Sequence, residues 1–408
     1  MSGNNKCKTI EIVGGTYMES CSEPEWEQIF GSGLRAALAV KGIDPKCRVT
    51  FHTIAESYIK QHLEMDYDDI SMEIVEAPKG TSPISFIYRN ALSPPIVYSN
   101  NNVDYPAISV QTEKCIMFGM MENSGVVNAD YVVYDPQSPN SPIPFSNTGS
   151  KANHLCVVLN EQEAQTWTGK KTDEEIRDVI WESEKCECLI IKKGAFGAIV
   201  YDKPDSRGIP IPAYKTNNVW TIGSGDVFTA ALGYYWMIAS KTIEQSAKLA
   251  SLVVACYSNS KTLEKLGDLM KLAHFEEHFP KEKGEVYLAG PFFTMSERAF
   301  IKDCRDALVG MGLSVFSPFH DLGLGGPDEV VPQDIEAIKK CKTIFAVLDG
   351  MDSGTVFEVG YGVALGKKII ILAENESKTH LQMMLGTHCC VEKDFVTAIY
   401  KTCWMTYE

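Results

Sequence analysis

The stretch TIFAVLDGMDSGTVFEVGYGVALGKKIIIL, residues 343–372, constrains the fold more than any other part of the chain. It opens and closes on short apolar runs, Thr343–Leu348 and Lys368–Leu372. Between them Thr355–Leu365 carries apolar residues at helical spacing. Further strand candidates at Val286–Ala289 and Leu313–Phe316, and helix candidates at Ser296–Met311, Pro332–Cys341 and Lys393–Lys401, continue the alternation. Short strands that are apolar throughout need cover on both faces, so the pattern predicts a parallel sheet wrapped by helices. Ligands of such sheets lie at the carboxyl ends of the strands. Here that rule points to Gly290–Phe293, Ser317–Asp321 and Asp349–Glu358.

The chain has 408 residues, room for two or three domains. Residues 274–285, HFEEHFPKEKGE, are charged and contain Pro280 and Gly284. They read as a linker, giving predicted domains at 1–274 and 285–408 with 275–284 between them. The N-terminal part is also mixed α/β. Strands are predicted at Ile10–Val13, Leu155–Leu159 and Cys188–Lys192, with Ala198–Tyr201 as a hairpin partner of the last. Helices are predicted at Gly31–Lys41, Ser224–Ile238 and Ile243–Tyr257, while the Pro- and Asn-rich residues 80–110 resist assignment. Lys and Arg total 38 against 53 Asp and Glu, a net charge of −15 that disfavours nucleic-acid backbone and anionic membrane as partners. The first residues carry no long apolar run, and Leu249–Cys256 is far short of a membrane span, so a cytoplasmic protein is expected. None of the 13 cysteines has zinc-site spacing; Cys186 and Cys188, and Cys389 and Cys390, read as reduced thiols.

Three carboxylates carry the C-terminal chemistry. Asp352 lies on the loop after a buried strand, Glu358 lies six residues on at the start of a helix, and Asp334 on the preceding helix can approach the same crevice. Cleaving a glycosidic bond suits such a set: one carboxylate attacks or stabilises the anomeric carbon while another carboxyl handles the leaving group's proton. The helix start is expected to keep Glu358 ionised. Acids near helix starts also serve as plain caps, and that alternative stays open for each of them.

Residues 286–385 resemble the nucleoside 2-deoxyribosyltransferase family. The resemblance rests on YLAGPFF at Tyr287–Phe293, Glu297-Arg298, FSPFHD at Phe316–Asp321, the QDIEAI helix and DSGTVFEVGYGVALGK at Asp352–Lys367. It implies a doubly wound, flavodoxin-like domain that cleaves an N-glycosidic bond. Glu358 sits at the nucleophile position, Asp352 matches the carboxylate beside it and Asp334 the acid that faces the base. Gly290, Pro291 and Phe292 would shape the sugar and base pocket, with Ser317 and Asp321 at its rim; Phe316 reads as core packing. Arg298 and Lys302 are candidates for touching a phosphate, or simply a solvated helix face. The family often completes its site with an Asn-Leu-Met-type segment from a neighbouring subunit, implying a homo-oligomer. Here the segment reads HLQMML, with His380 and Gln382 but no Asn, so both transfer and hydrolysis are open.

The N-terminal half carries a second signal. Gly223-Ser224-Gly225 forms a tight turn into a helix whose amides can hold a phosphoryl group, and Asp226 can take a proton from an attacking hydroxyl. Asn160 and Glu163 follow a strand end and suit hydrated Mg²⁺ or, equally, a capped helix start. Gly194 and Gly197 form a turn that would lie under a nucleotide, or an ordinary hairpin. With GSGLRAALAVKG at Gly31–Gly42, NEQEA at Asn160–Ala164, KKGAFGA at Lys192–Ala198 and TIGSGD at Thr221–Asp226, residues 8–270 resemble the PfkB (ribokinase-like) kinases. That resemblance implies a ribokinase-like α/β sandwich, ATP and Mg²⁺ as cofactors, Asp226 as base, Gly223, Ser224 and Gly225 as the anion hole, and Asn160 and Glu163 in the magnesium network. Trp220 replaces the acid that helps build a monovalent-cation site in many members. Glu19 is the nearest acid to the sugar-holding position, and the interval Gly15–Gly31 looks short for the family's lid. The expected protein is a bifunctional, cytoplasmic, homo-oligomeric enzyme that cleaves or transfers a nucleoside's N-glycosidic bond and phosphorylates a sugar or nucleoside. The alternative is an N-terminal nucleotide sensor controlling a nucleotide- or NAD-depleting glycosidase.

Overall fold

A computed structural model of the chain describes residues 8–408 apart from 101, 123–124, 139, 204–206 and 324, and apart from the side chain of Pro327. It forms two compact units: residues up to Thr216 with Trp220–Glu277, and Asn217–Val219 with His278–Glu408.

The first unit opens with β1 (Thr9–Val13), β2 (Met18–Glu23), β3 (Trp26–Ile29), α1 (Gly31–Ile43), β4 (Arg48–Ala55), α2 (Ser57–Asp66) and β5 (Ser71–Glu76). It continues through β6 (Ser85–Asn90), β7 (Ile96–Tyr98), β8 (Ser109–Phe118), β9 (Val126–Asp135), β10 (Lys151–Asn160), α3 (Glu161–Thr168) and α4 (Asp173–Glu184). It ends with β11 (Cys188–Lys192), β12 (Ala198–Tyr201), β13 (Ile209–Ile211), β14 (Ala213–Lys215), α5 (Ser224–Gly233), α6 (Ile243–Ser260) and α7 (Leu266–Leu272). Nine strands make one sheet in the order β13-β12-β11-β10-β9-β8-β1-β4-β5. It is parallel from β11 to β5, and β12 and β13 add antiparallel at one edge. The inner halves of the long strands, such as Leu155–Leu159, are fully apolar and buried beneath helices. The front half of β10, Lys151–His154, alternates exposed with half-buried residues, so its apolar signal begins four residues late.

A second sheet, β3-β2-β6-β7, corrects two readings of the sequence. Residues 80–110 contain β6 and β7, and the short interval before Gly31 supplies β2 and β3. These strands are three to six residues long and either polar, as in MESCSE, or exposed, as in Ile96–Tyr98, so they show no buried-strand pattern. The helix expected over Ser224–Ile238 is α5 followed by a π-helical turn, Tyr234–Ile238.

Within the predicted linker, Glu276–His278 is a short strand, β15. The second unit continues with β16 (Glu285–Ala289), α8 (Met295–Gly310), β17 (Ser314–Phe316), α9 (Pro318–Asp321), α10 (Pro327–Lys340), β18 (Thr343–Val347) and α11 (Ser353–Ala364). It closes with β19 (Lys368–Leu372), α12 (Gln382–Gly386), β20 (Cys390–Glu392) and α13 (Phe395–Thr406). The sheet order β17-β16-β18-β19-β20 is parallel throughout, the doubly wound arrangement. Its reversal of strand order falls between β16 and β18, which are neighbours, and Gly290 and Asp349 follow their carboxyl ends. Helix α10 starts at Pro327, not Pro332; Pro332 lies inside it, where its missing N–H forfeits one helix bond.

Candidate active sites

In the second unit, Tyr287 on β16 is fully buried and donates its phenolic hydrogen to Oε1 of Glu358 at 2.6 Å. Glu358 is the sixth residue of α11, past the first-turn amides that favour a negative charge. The expectation that the helix start keeps it ionised is therefore corrected. Burial pushes Glu358 up to about 7; the Tyr287 hydrogen bond opposes this and the nearby charges of Asp334 and Asp352 add to it. Burial also raises Asp334, on α10, to about 6, and its Oδ1 is buried with no hydrogen-bond partner among the described residues. Asp352 caps α11: its Oδ2 accepts from the Thr355 backbone N–H at 2.8 Å and the Thr355 hydroxyl at 2.9 Å. Three carboxylates thus share one electrostatic environment, and the central one is held by a neutral phenol.

Around them, a Cβ added to Gly290 would fall 2.3 Å from Ile301 Cδ1 and 3.2 Å from Val347 Cβ, so the chain passes tightly between α8 and β18. Pro291 is buried, and the ring of Phe292 stacks on Phe293 and Phe319 with centroids 5.4 and 5.5 Å away. Phe316 stacks on Tyr287 and packs against the core. Ser317 donates its N–H to Asp321 Oδ2 at 2.7 Å, and its hydroxyl pairs with His320 Nδ1 at 3.0 Å. The other Asp321 oxygen lies 3.4 Å from Arg305. Asp321 therefore shapes the turn through which Ser317 enters α9. Arg298 donates Nε–H to the Phe292 carbonyl at 2.7 Å and lies over Phe319; Lys302 pairs with Asp306 one turn along α8. His380 pairs with Glu376, and Gln382 begins α12.

In the first unit, Gly223 at φ +74 turns the chain into α5, with Ser224, Gly225 and Asp226 in its first turn. Asp226 is not free. Its Oδ2 accepts from Arg35 on α1 at 2.7 Å, and the other guanidinium nitrogen pairs with Glu19 of β2. Glu19 Oε1 accepts the Gly31 N–H at 2.8 Å. Arg35 is 2% exposed, its Nε has no partner among the described residues and its guanidinium lies 4.8 Å from the Phe30 ring centroid. A Cβ on Gly223 would fall 2.1 Å from that Nε, so the turn needs glycine. Burial raises Asp226 to about 6 against the pull of Arg35.

On the other side of the turn, Lys192 at the end of β11 pairs with fully buried Asp135 at 2.7 Å, and Asp135 also accepts from Thr229 of α5 at 2.8 Å. A Cβ on Gly225 would lie 3.3 Å from Lys192 Nζ. Asn160 and Glu163 form a reciprocal cap on α3: Asn160 Oδ1 accepts the Glu163 N–H and Glu163 Oε2 accepts the Asn160 N–H, each at 2.8 Å. Glu163 also accepts a backbone hydrogen bond from Ser138, and burial raises it to about 7. Both side chains thus cap α3, and a divalent cation would meet them through the lone pairs that the cap leaves free or through its own waters. Among the described residues no group of three His, Cys, Asp or Glu side chains converges on a metal position. Gly194 and Gly197 turn β11 into β12, and a Cβ on Gly197 would strike the Ile211 carbonyl at 2.0 Å. Close approach of β13 explains that glycine. Trp220 is buried edge-on against Trp26 of the small sheet, centroids 5.3 Å apart, with Lys261 Nζ 4.6 Å from its own ring centroid. The neighbouring Thr221 hydroxyl donates to the Ala91 carbonyl between β6 and β7. The small sheet is thereby fastened to the glycine turn.

Sequence reasoning missed Arg35, Lys192 and Asp135 as site residues, and used Tyr287 only as part of a motif. A single arginine inside the run GSGLRAALAV was the available signal, since such a charge must be paired if the helix is buried.

No curated protein sequence matches the chain. Among solved structures it is similar to a fructokinase from Vibrio cholerae O395 bound to fructose, ADP and calcium. The identity is 15%, with 64% of this chain and 96% of that one covered, and the TM-score is 0.50. A double mutant of that fructokinase with fructose, ADP and potassium aligns at 14% identity over 64% and 95%, also at TM-score 0.50. These likenesses establish a ribokinase-like fold for the N-terminal region. Residues 115–264 match the pfkB family carbohydrate kinase model, and residues 286–396 match the nucleoside 2-deoxyribosyltransferase model. The chain thus carries a PfkB carbohydrate kinase domain followed by a nucleoside 2-deoxyribosyltransferase domain.

Proposed function

We propose that the protein is an enzyme of nucleoside or nucleotide metabolism whose second unit breaks an N-glycosidic bond with Glu358 as nucleophile. The ionised carboxylate attacks the anomeric carbon, the bond to the base breaks, and the departing nitrogen takes the proton of Asp334. The resulting glycosyl ester is resolved by water or by a second base. Asp352 sets the start of α11 and adds negative charge beside the developing oxocarbenium ion. Gly290, Pro291 and Phe292 bound the sugar and base pocket, with Ser317 and Asp321 fixing its rim. The observation that carries this reading is the half-buried Glu358 held by neutral Tyr287, with an Asp334 oxygen that has no partner among the described residues within electrostatic reach. The test is incubation with nucleosides, nucleotides and NAD, followed by mass spectrometry. Release of free base by the wild type and none by folded Glu358→Ala supports it; equal release by both overturns it.

For the first unit, the reading that fits is a nucleotide-binding domain with the glycine turn Gly223–Gly225 toward the phosphates. Phosphorylation of a sugar or nucleoside, with ATP as donor and Asp226 as base, would use Oδ1, the oxygen that Arg35 leaves unengaged. The Arg35–Asp226 pair favours the second reading: a nucleotide-sensing module that governs the glycosidic site within a cytoplasmic homo-oligomer. ADP formation with a panel of sugars and nucleosides, lost in Asp226→Ala, would reject the sensor.

A further inference from the structure

Helix α8 presents three basic side chains, and they differ in what holds them. Lys302 pairs with Asp306, and Arg305 lies 3.4 Å from Asp321. Arg298 has no carboxylate partner among the described residues. Its Nε donates to the Phe292 carbonyl at 2.7 Å, and its guanidinium lies 5.6 Å from the Phe319 ring centroid. Glu297, its neighbour in sequence, accepts the N–H groups of Phe293 and Thr294 at 2.9 and 2.7 Å. The terminal nitrogens of Arg298 thus keep their charge while the side chain is held in place. A guanidinium fixed through Nε offers the rest of its fork to a phosphate at little entropic cost.

Beside it lies an open aromatic stack. Phe319, Phe292 and Phe293 form a staircase with centroids 5.5 and 5.4 Å apart and planes inclined by 24° at each step. The last ring, Phe293, is 66% exposed. Its backbone is locked, since Glu297 holds its amide and Arg298 holds the carbonyl before it. On a rigid stacked ring left open to water, another flat ring gains stacking and little protein freedom is lost. Phe293 and Arg298 follow the carboxyl end of β16, the strand whose Tyr287 holds Glu358, and Glu297 lies within electrostatic reach of Asp352.

We infer that the second unit's substrate is a dinucleotide: one nucleoside enters the Glu358 crevice, the phosphates bind the Arg298 fork, and the second base stacks on Phe293. The inference rests on the glycosidic reading above and deepens it by naming the substrate class. Glu358 bonds to the anomeric carbon as the bond to the base breaks. A neutral base such as adenine leaves with the proton of Asp334, whereas a pyridinium base such as nicotinamide leaves as the neutral ring and needs none. Water then displaces Glu358 and gives up a proton, to Asp334 in the first case and to solvent in the second.

The test is steady-state release of base from adenosine, 2′-deoxyadenosine, their 5′-monophosphates and NAD. It compares the full-length protein with its Phe293→Ala, Arg298→Ala and Glu358→Ala variants, with thermal unfolding as the check on folding. Phe293→Ala removes an exposed ring, so it keeps the test open if Arg298→Ala disturbs the loop. The expected kcat/KM is highest for NAD, then the monophosphates, then the nucleosides, with steps of about tenfold. Phe293→Ala should raise KM for NAD about fivefold or more and that for the monophosphates by less than about twofold. Arg298→Ala should raise KM for NAD and the monophosphates about fivefold more than for the nucleosides. NAD cleaved no better than the monophosphates, or a Phe293→Ala protein that handles NAD like wild type, overturns the inference. Base release that vanishes in Glu358→Ala then leaves the glycosidic reading standing. No base from any probe overturns both.

Discussion

Asp226 is buried and Glu358 half-buried; both carboxyl groups are raised toward neutrality, and each is gripped by a residue from a neighbouring element. The grips differ. Tyr287 is neutral, so it positions Glu358 and leaves its charge available for attack. Arg35 is a cation paired on both sides, so it positions Asp226 and cancels its charge. A hydrogen bond from a phenol leaves the proposed nucleophile its charge, whereas an ion pair lowers the basicity of its carboxylate even though the second oxygen, Asp226 Oδ1, stays open to a proton. The two units therefore carry similar acids in opposite states of readiness.

The largest expected effect lies at Glu358. Its replacement by alanine removes the attacking oxygen, and base release should fall by about 10⁴-fold or more with the circular dichroism spectrum unchanged. A smaller loss would mean that water attacks directly and that Glu358 only stabilises charge.

The next effect tests the lock. Arg35→Ala leaves Glu19 and Asp226 as uncompensated buried charges, which costs about 3–5 kcal/mol. Denaturant unfolding should show that loss in the transition of the first unit. The triple change Arg35→Met, Glu19→Gln and Asp226→Asn should recover most of it. An Arg35→Ala protein as stable as wild type would show that the pair is not closed in solution, and would return Asp226 to the role of base.

Asp334→Asn should slow base release about 100-fold with poor leaving groups, and less with bases that leave unprotonated. The pH profile gives the sharper reading. Activity needs Glu358 ionised and Asp334 protonated, and the two interact, so the pair titrates together with an optimum between about 6 and 7. Asparagine cannot lose a proton, so the alkaline fall should vanish. The acid limb should then report Glu358 alone, at a value below about 7 because the Asp334 charge that raises it is gone.

Much of this was legible in the sequence because buried parallel strands leave continuous apolar runs. β16, β18 and β19 announce themselves, and the loops after the first two carry the motif residues. The short strands β2, β3, β6 and β7 did not, because three to six residues in a small, largely exposed sheet are too few to show a periodicity. At the sites, residue types were readable and partners were not. Asn160 and Glu163 were foreseen as metal-network residues or a cap; the geometry shows the reciprocal cap, which residue types alone could not fix. The state of Glu358 was misread because one turn of helix register separates a carboxylate favoured by free amides from one governed by burial. Arg35 joins residues 16 and 191 positions away, a separation that no local pattern encodes.

The smallest effect is the most discriminating about the phenol. Tyr287→Phe removes a hydrogen bond that lowers the Glu358 pKa, so that pKa should rise above its value of about 7. At neutral pH fewer molecules then carry an ionised nucleophile, and activity should fall about tenfold from ionisation and misalignment together. Part of that loss should return as the pH is raised, until protonation of the leaving group becomes limiting. A purely structural role predicts a different outcome, in which the rate falls by the same factor at every pH and the acid limb stays in place. A displaced limb would show that the neutral grip tunes Glu358 as well as holding it, the property that Arg35 lacks toward Asp226.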